Sequence, residues 1–149
     1  AFTKTQLAID YEPPRGGEVF ISVNDGDKRN ITAIARSIAR LGFSLVATTG
    51  TARALRASGI ECEEVGKIHA GSHTILDRIA SGEIVLMINT PFGSSTNTDG
   101  YEMRAACVRH GVSYCTTLAG AQALIAGMEA VRETGLDVIA LQDLPQWEG

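Results

Sequence analysis

The chain contains no CxxC pair, no GxGxxG, no GxxxxGK[ST] and no GxSxG. Without the glycine fingerprints there is neither a dinucleotide motif nor a P-loop. Nothing of the nucleophile-elbow kind supports a Ser-His-Asp hydrolase. No apolar stretch approaches the roughly 20 residues needed to cross a bilayer, and no basic-plus-apolar secretory leader is evident. Basic charge is also scarce. Thirteen Lys and Arg face 17 Asp and Glu, for a formal net charge of −4. A general nucleic-acid surface needs clustered basic charge, so no nucleic-acid and no membrane partner is expected. A small anion, for which two or three local donors suffice, remains open. Metal ligands are thin as well. His69 and His73 are four residues apart with Gly71 between them, and no third candidate stands close in sequence, so no metal site is expected. The three cysteines, Cys62, Cys107 and Cys115, are an odd number, each within or beside an apolar run. They read as buried thiols in a reducing, cytoplasmic setting.

What is present fits one globular domain: 149 residues, 44% hydrophobic and 20% charged. The start at Ala1-Phe2 reads as a piece of a longer protein. Residues 1–17 differ from the rest, because Tyr11-Glu12-Pro13-Pro14-Arg15-Gly16-Gly17 is linker chemistry. They are assigned to a tail from a preceding domain, and 18–149 to the domain itself. There, apolar runs alternate with helical periodicity. Strands are expected at Glu18–Val23, Phe43–Val46, Ile60–Val65, Ile84–Ile88, Val112–Cys115 and Val138–Leu141. The third, rich in glutamate, suits a sheet edge. The fourth, the most apolar, suits a central strand buried on both faces. Helices are expected over residues 31–41, Ala52–Ser58, Thr74–Ser81, Tyr101–His110 and Thr117–Glu133. This order predicts an α/β three-layer sandwich around a mainly parallel central sheet.

Parallel sheets of this kind take ligands beyond the carboxyl ends of their strands. The candidate site is therefore the set of loops Asn24–Lys28, Thr48–Thr51, Gly66–His73 and Asn89–Asp99. The stretch Ala47-Thr48-Thr49-Gly50-Thr51-Ala52 is the focus. Threonine hydroxyls and free helix N–H groups can cradle an anion, with Gly50 expected to let the backbone turn tightly. Ordinary turn and N-cap roles explain the same residues. Lys28 and Lys67 can neutralise phosphate charge, and the Asn89 amide suits a base or ribose edge. Surface lysines are the alternative.

Several segments together resemble a known family. They are Ser22 through Asp27-Lys28, the Ala47–Ala52 stretch, Lys67-Ile68-His69-Ala70-Gly71, Asp77-Arg78-Ile79-Ala80-Ser81-Gly82, Ile88-Asn89-Thr90 and Tyr114-Cys115-Thr116-Thr117-Leu118. In order and spacing they resemble the C-terminal allosteric, methylglyoxal-synthase-like domain of the large subunit of carbamoyl-phosphate synthase. The fold implied has Rossmann/flavodoxin-like topology. Ala1 through Ala8 is similar to the end of the preceding ATP-grasp half. The resemblance implies a non-catalytic regulatory domain, with UMP as inhibitor and IMP as activator. It places phosphate near Lys28, Thr48, Thr51 and Lys67, and ribose and base near Ser22, Ile68, Asn89, Thr90 and Asp99. Tyr114 and Thr116 match positions that meet ornithine. It implies no cofactor in this domain, with ATP and magnesium or manganese in the parent enzyme. The implied partners are the ATP-grasp halves and the small glutaminase subunit, and a homo-oligomer through this domain is compatible with it. Pro91 departs from the family where nucleotide-binding members can carry threonine, which opens the identity of the effector. The alternatives are methylglyoxal synthase itself, a purine-synthesis cyclohydrolase domain of the same fold, and an interaction module without a ligand. Against the synthase, Ser72 stands where that family has its catalytic aspartate and Thr96 where it has a histidine, although Asp99 matches a second aspartate.

Overall fold

The computed structural model describes residues 16–65, 75–90 and 98–134. Strand β1 (Glu18–Ser22) leads through a single 3-10 turn, Asp25–Asp27, into helix α1 (Ile31–Arg40). Strand β2 (Ser44–Thr48) runs directly into α2 (Thr49–Ala57), and β3 (Glu63–Val65) follows. Helix α3 (Ile75–Ala80), β4 (Ile84–Asn89), α4 (Thr98–His110), β5 (Ser113–Cys115) and α5 (Leu118–Thr134) complete the described chain. The expected strand Val138–Leu141 and the loop 66–73 lie outside these residues, as does the tail 1–15.

The five strands form one sheet in the order β3-β2-β1-β4-β5, and every pairing is parallel. This is the Rossmann order rather than the flavodoxin one. The glutamate-bearing β3 occupies an edge, as its polarity suggests. Strand β4 is interior, paired on both sides, but the middle position belongs to β1.

Alternation along the strands sorts the core into two layers. Val19, Ile21, Leu45, Ala47, Leu86 and Ile88 face α1, α2 and α5. Phe20, Val46, Ile84 and Met87 face α3 and α4. Successive strand side chains point to opposite faces, so a doubly covered sheet needs apolar residues at nearly every position. That is why β4 reads as an unbroken apolar run. Helix α1 buries Ile31, Ile34, Ala35 and Ile38, the spacing of one helical face. It stops where Gly42 takes φ 97°, a backbone that side-chain-bearing residues resist.

Two sequence expectations are corrected. Helix α2 starts at Thr49 rather than Ala52, so Gly50 lies inside its first turn and has no left-handed backbone. The change of direction is made at Thr48, which is extended at φ −71°, ψ 162°. Asp99 belongs to the first turn of α4 rather than to the expected loop Asn89–Asp99.

Candidate functional site

From β1 the chain steps outward to β2 and β3, then crosses back to β4 and β5. The order of the strands therefore reverses between β1 and β4, and it is beyond the carboxyl ends at such a reversal that sheets of this kind have their ligand crevice. Ser22 and Asn89, the last residues of these strands, are register partners there.

Parallel strands leave polar backbone groups where they end, and side chains from neighbouring elements satisfy them here. The Thr90 N–H donates to the Ser22 carbonyl at 3.0 Å, and the Asn24 N–H donates to the Thr90 hydroxyl at 2.9 Å. The Val23 N–H donates to the Thr51 hydroxyl at 3.1 Å. Thr51 and Thr90 are each 1% exposed, so both hydroxyls are buried beneath the strand ends. Asn24 also caps the 3-10 turn, its Oδ1 accepting from the Asp27 N–H at 2.9 Å. That turn delivers Lys28.

Thr48 occupies the N-cap position of α2, yet its side chain makes no cap hydrogen bond. Its hydroxyl instead lies 3.2 Å from the Ser22 Oγ and 3.4 Å from the Thr51 Oγ1. The three hydroxyls form one cluster at the ends of β1 and β2. The first turn of α2 carries no acidic residue, so the positive end of the helix keeps its attraction for an anion. The Lys28 ammonium lies against this same end. A Cβ placed on Gly50 would meet its Cε and Nζ, each at 3.3 Å. Lys28 is paired with the exposed Asp25 carboxylate, and the ammonium holds that carboxyl below its ordinary range.

On the other side of the crevice the Asn89 Nδ2 donates to the Tyr114 hydroxyl at 2.8 Å. Arg104 stands 6.0 Å from the centre of the Tyr114 ring. Burial raises the Tyr114 phenol above its ordinary value. Thr116, just past β5, is exposed.

Lys28, Thr48, Thr51, Ser22, Asn89 and Thr90 thus meet at one edge of the sheet, and Tyr114 joins them through Asn89. Lys67 and Ile68 lie outside the described residues, as do Ser72, Pro91 and Thr96. Asp25 and Asn24 lie in the expected loop Asn24–Lys28 but were not singled out there: the spacing of three from Lys28 is a usable signal for Asp25, whereas the bond from the Asn24 N–H to Thr90 needs the fold to be seen. Among the described residues no three His, Cys, Asp or Glu gather for a metal ion. No helix among them is long and apolar enough to cross a membrane. A cleft of about 1250 Å³ lies at the other end of the sheet, lined by Glu18, Arg36, Arg56 and Cys62 among others. Its three arginines are already engaged: Arg36 binds the Ser58 carbonyl, Arg40 the Ser37 hydroxyl, and Arg56 the Cys62 carbonyl and the Glu64 carboxylate. The Lys28 ammonium and the hydroxyls of Ser22, Thr48 and Thr51 gather at the opposite, carboxyl ends of the strands.

The MGS-like domain family matches residues 30–116. The carbamoyl phosphate synthase large chain, C-terminal section, of Methanopyrus kandleri is 49% identical over 145 residues, covering 97% of this chain and 27% of that protein. The carbamoyl phosphate synthase large chain of Myxococcus xanthus is 42% identical over 143 residues, covering 96% of this chain and 13% of its own length. The chain thus spans roughly an eighth to a quarter of these relatives. The crystal structure of methylglyoxal synthase from Elizabethkingia anophelis NUHP1 superposes with a TM-score of 0.59 at 18% identity, over 76% of this chain and 79% of that one, a likeness of fold. The chain belongs to the MGS-like domain family, in the form carried by large chains of carbamoyl phosphate synthase.

Proposed function

We propose that this chain is the regulatory domain of a glutamine-dependent carbamoyl-phosphate synthase large subunit and that it binds a nucleoside monophosphate. In this reading UMP inhibits and IMP activates, so the domain adjusts carbamoyl phosphate supply for pyrimidines and arginine. The chain itself is non-catalytic; the ATP-dependent ligase chemistry, with its magnesium or manganese, belongs to the ATP-grasp halves of the parent, which works with a small glutaminase subunit. The observation that carries the reading is the convergence of the Lys28 ammonium, the Thr48 hydroxyl and the open head of α2 at the strand-order reversal. A phosphate there meets a cation, a hydroxyl and backbone N–H groups together.

Phosphate is assigned to Lys28, Thr48, Thr51 and Lys67, with Thr51 acting from its buried position. Ribose and base are assigned to Ser22, Ile68, Asn89, Thr90 and Asp99, and an ornithine-side role to Tyr114 and Thr116. The Asn89–Tyr114 hydrogen bond supports a mechanical link between the two groups. A ligand regulates only by binding two arrangements unequally, with coupling typically about 1–3 kcal/mol. The test is a thermal melt of the chain with UMP, IMP or ornithine at millimolar concentration. A native-state ligand raises the melting temperature by mass action. No shift with either nucleotide would leave the interaction-module reading in its place.

A further inference from the structure

Lys28 lies against the head of α2 at a position, residue 50, that has no side chain. The two atoms that an added Cβ would meet are the last two of the lysine, each at 3.3 Å, closer than such a carbon ordinarily packs. The backbone does not ask for glycine here, since Gly50 is helical and is not among the glycines with positive φ. Helix propensity argues against it, because alanine is the better helix former. What an added Cβ would press on is the tip of Lys28.

The electrostatics point the same way. An ammonium held against the positive end of a helix is unfavourable on its own. Here the Asp25 carboxylate balances it, from a side chain 96% exposed to solvent. A surface pair of this kind is weak and exchangeable, so an arriving phosphate can replace the carboxylate. We propose that Gly50 is a positioning residue of the anion site. It keeps open the berth from which Lys28 and the first turn of α2 address one phosphate group, and Asp25 holds the ammonium in that berth until the phosphate arrives. This inference rests on the effector-site reading, but it has its own test.

UMP and inorganic phosphate are titrated by calorimetry into the wild-type chain and into Gly50→Ala, Asp25→Asn and Lys28→Ala, each also melted without ligand. Gly50→Ala is expected to melt at the wild-type temperature or above it while binding UMP about tenfold more weakly, the scale of a displaced charge-assisted contact. Asp25→Asn is expected to bind roughly two- to fivefold more tightly, because its competing carboxylate is gone. In a Lys28→Ala background, Gly50→Ala should cost nothing further, which distinguishes action through the lysine from general damage to the helix. Wild-type binding with equal binding by Gly50→Ala, or an additive loss in the double variant, would overturn the inference and leave the effector site standing. Absence of wild-type binding would remove both.

Discussion

Lys28, Thr48 and Asn89 come from three different elements and meet at one edge of the sheet, where each already has a protein partner. Their placement was legible in the sequence, because an apolar run ends just before Thr48 and another just before Asn89, and a turn of Asn, Asp and Gly precedes Lys28. The duties of Thr51 and Thr90 were not legible. Their hydroxyls accept from backbone N–H groups 28 and 66 residues away, a need created only where β1 ends. Nor was the neighbour of Gly50, the tip of a lysine 22 positions earlier. The same buried hydrogen bonding makes Tyr114 testable. Tyr114→Phe leaves the buried Asn89 amide without its acceptor and is expected to cost about 1–3 kcal/mol by urea denaturation; an unchanged midpoint would contradict it. Cys107, fully buried against Met87, offers a pH signature. Burial pushes its thiol from 9.0 up to about 11. The fold thus favours the neutral thiol. That stabilisation is complete below pH 9 and is lost as pH rises through 11. Cys107→Val, similar in volume, should flatten the fall in stability between those values, whereas an unaltered pH profile would show that the thiolate is tolerated in the core.

Among the elements, the alternation of strand and helix and their approximate ends followed from apolar periodicity. The order of the strands did not follow, because β1 and β4 are both apolar runs and only pairing decides which lies in the middle. The start of α2 also escaped, since Thr48 serves as a cap position without capping. Long-range ion pairing fixes what the short elements cannot. Arg78 in α3 reaches Glu18 on β1 at 3.2 Å and also pairs with Glu63 on the edge strand β3. Its side chain is largely buried, and its Nε has no hydrogen-bond partner among the described residues. With three residues in β3 and six in α3, this guanidinium joins two elements too short to stand alone. Arg78→Met is expected to lower stability by about 1–3 kcal/mol, leaving the partly buried Glu18 charge unpaired. Denaturation that matches wild type would assign the pair to surface decoration. Leu55, a fully buried residue of α2, should cost about 2–5 kcal/mol on truncation to alanine, and calorimetric melting reads the loss.

At the scale of the whole molecule, a sheet covered on both faces leaves its strand ends as the natural place for a ligand, and the reversal between β1 and β4 fixes where. The acidic balance of the chain, −4 overall, makes a local cation beside a helix head that Thr48 does not cap more informative than it would be on a basic surface. Their convergence is the central claim, that this end of the domain grips the phosphate of a nucleoside monophosphate. The most direct measurement is a calorimetric titration of UMP and IMP into the chain and into Lys28→Ala. The account predicts saturable binding of one nucleotide per chain, weakened at least about tenfold by the substitution with the ligand-free melting temperature preserved. Binding that Lys28→Ala leaves unchanged, or no heat from either nucleotide at millimolar concentration, would contradict it.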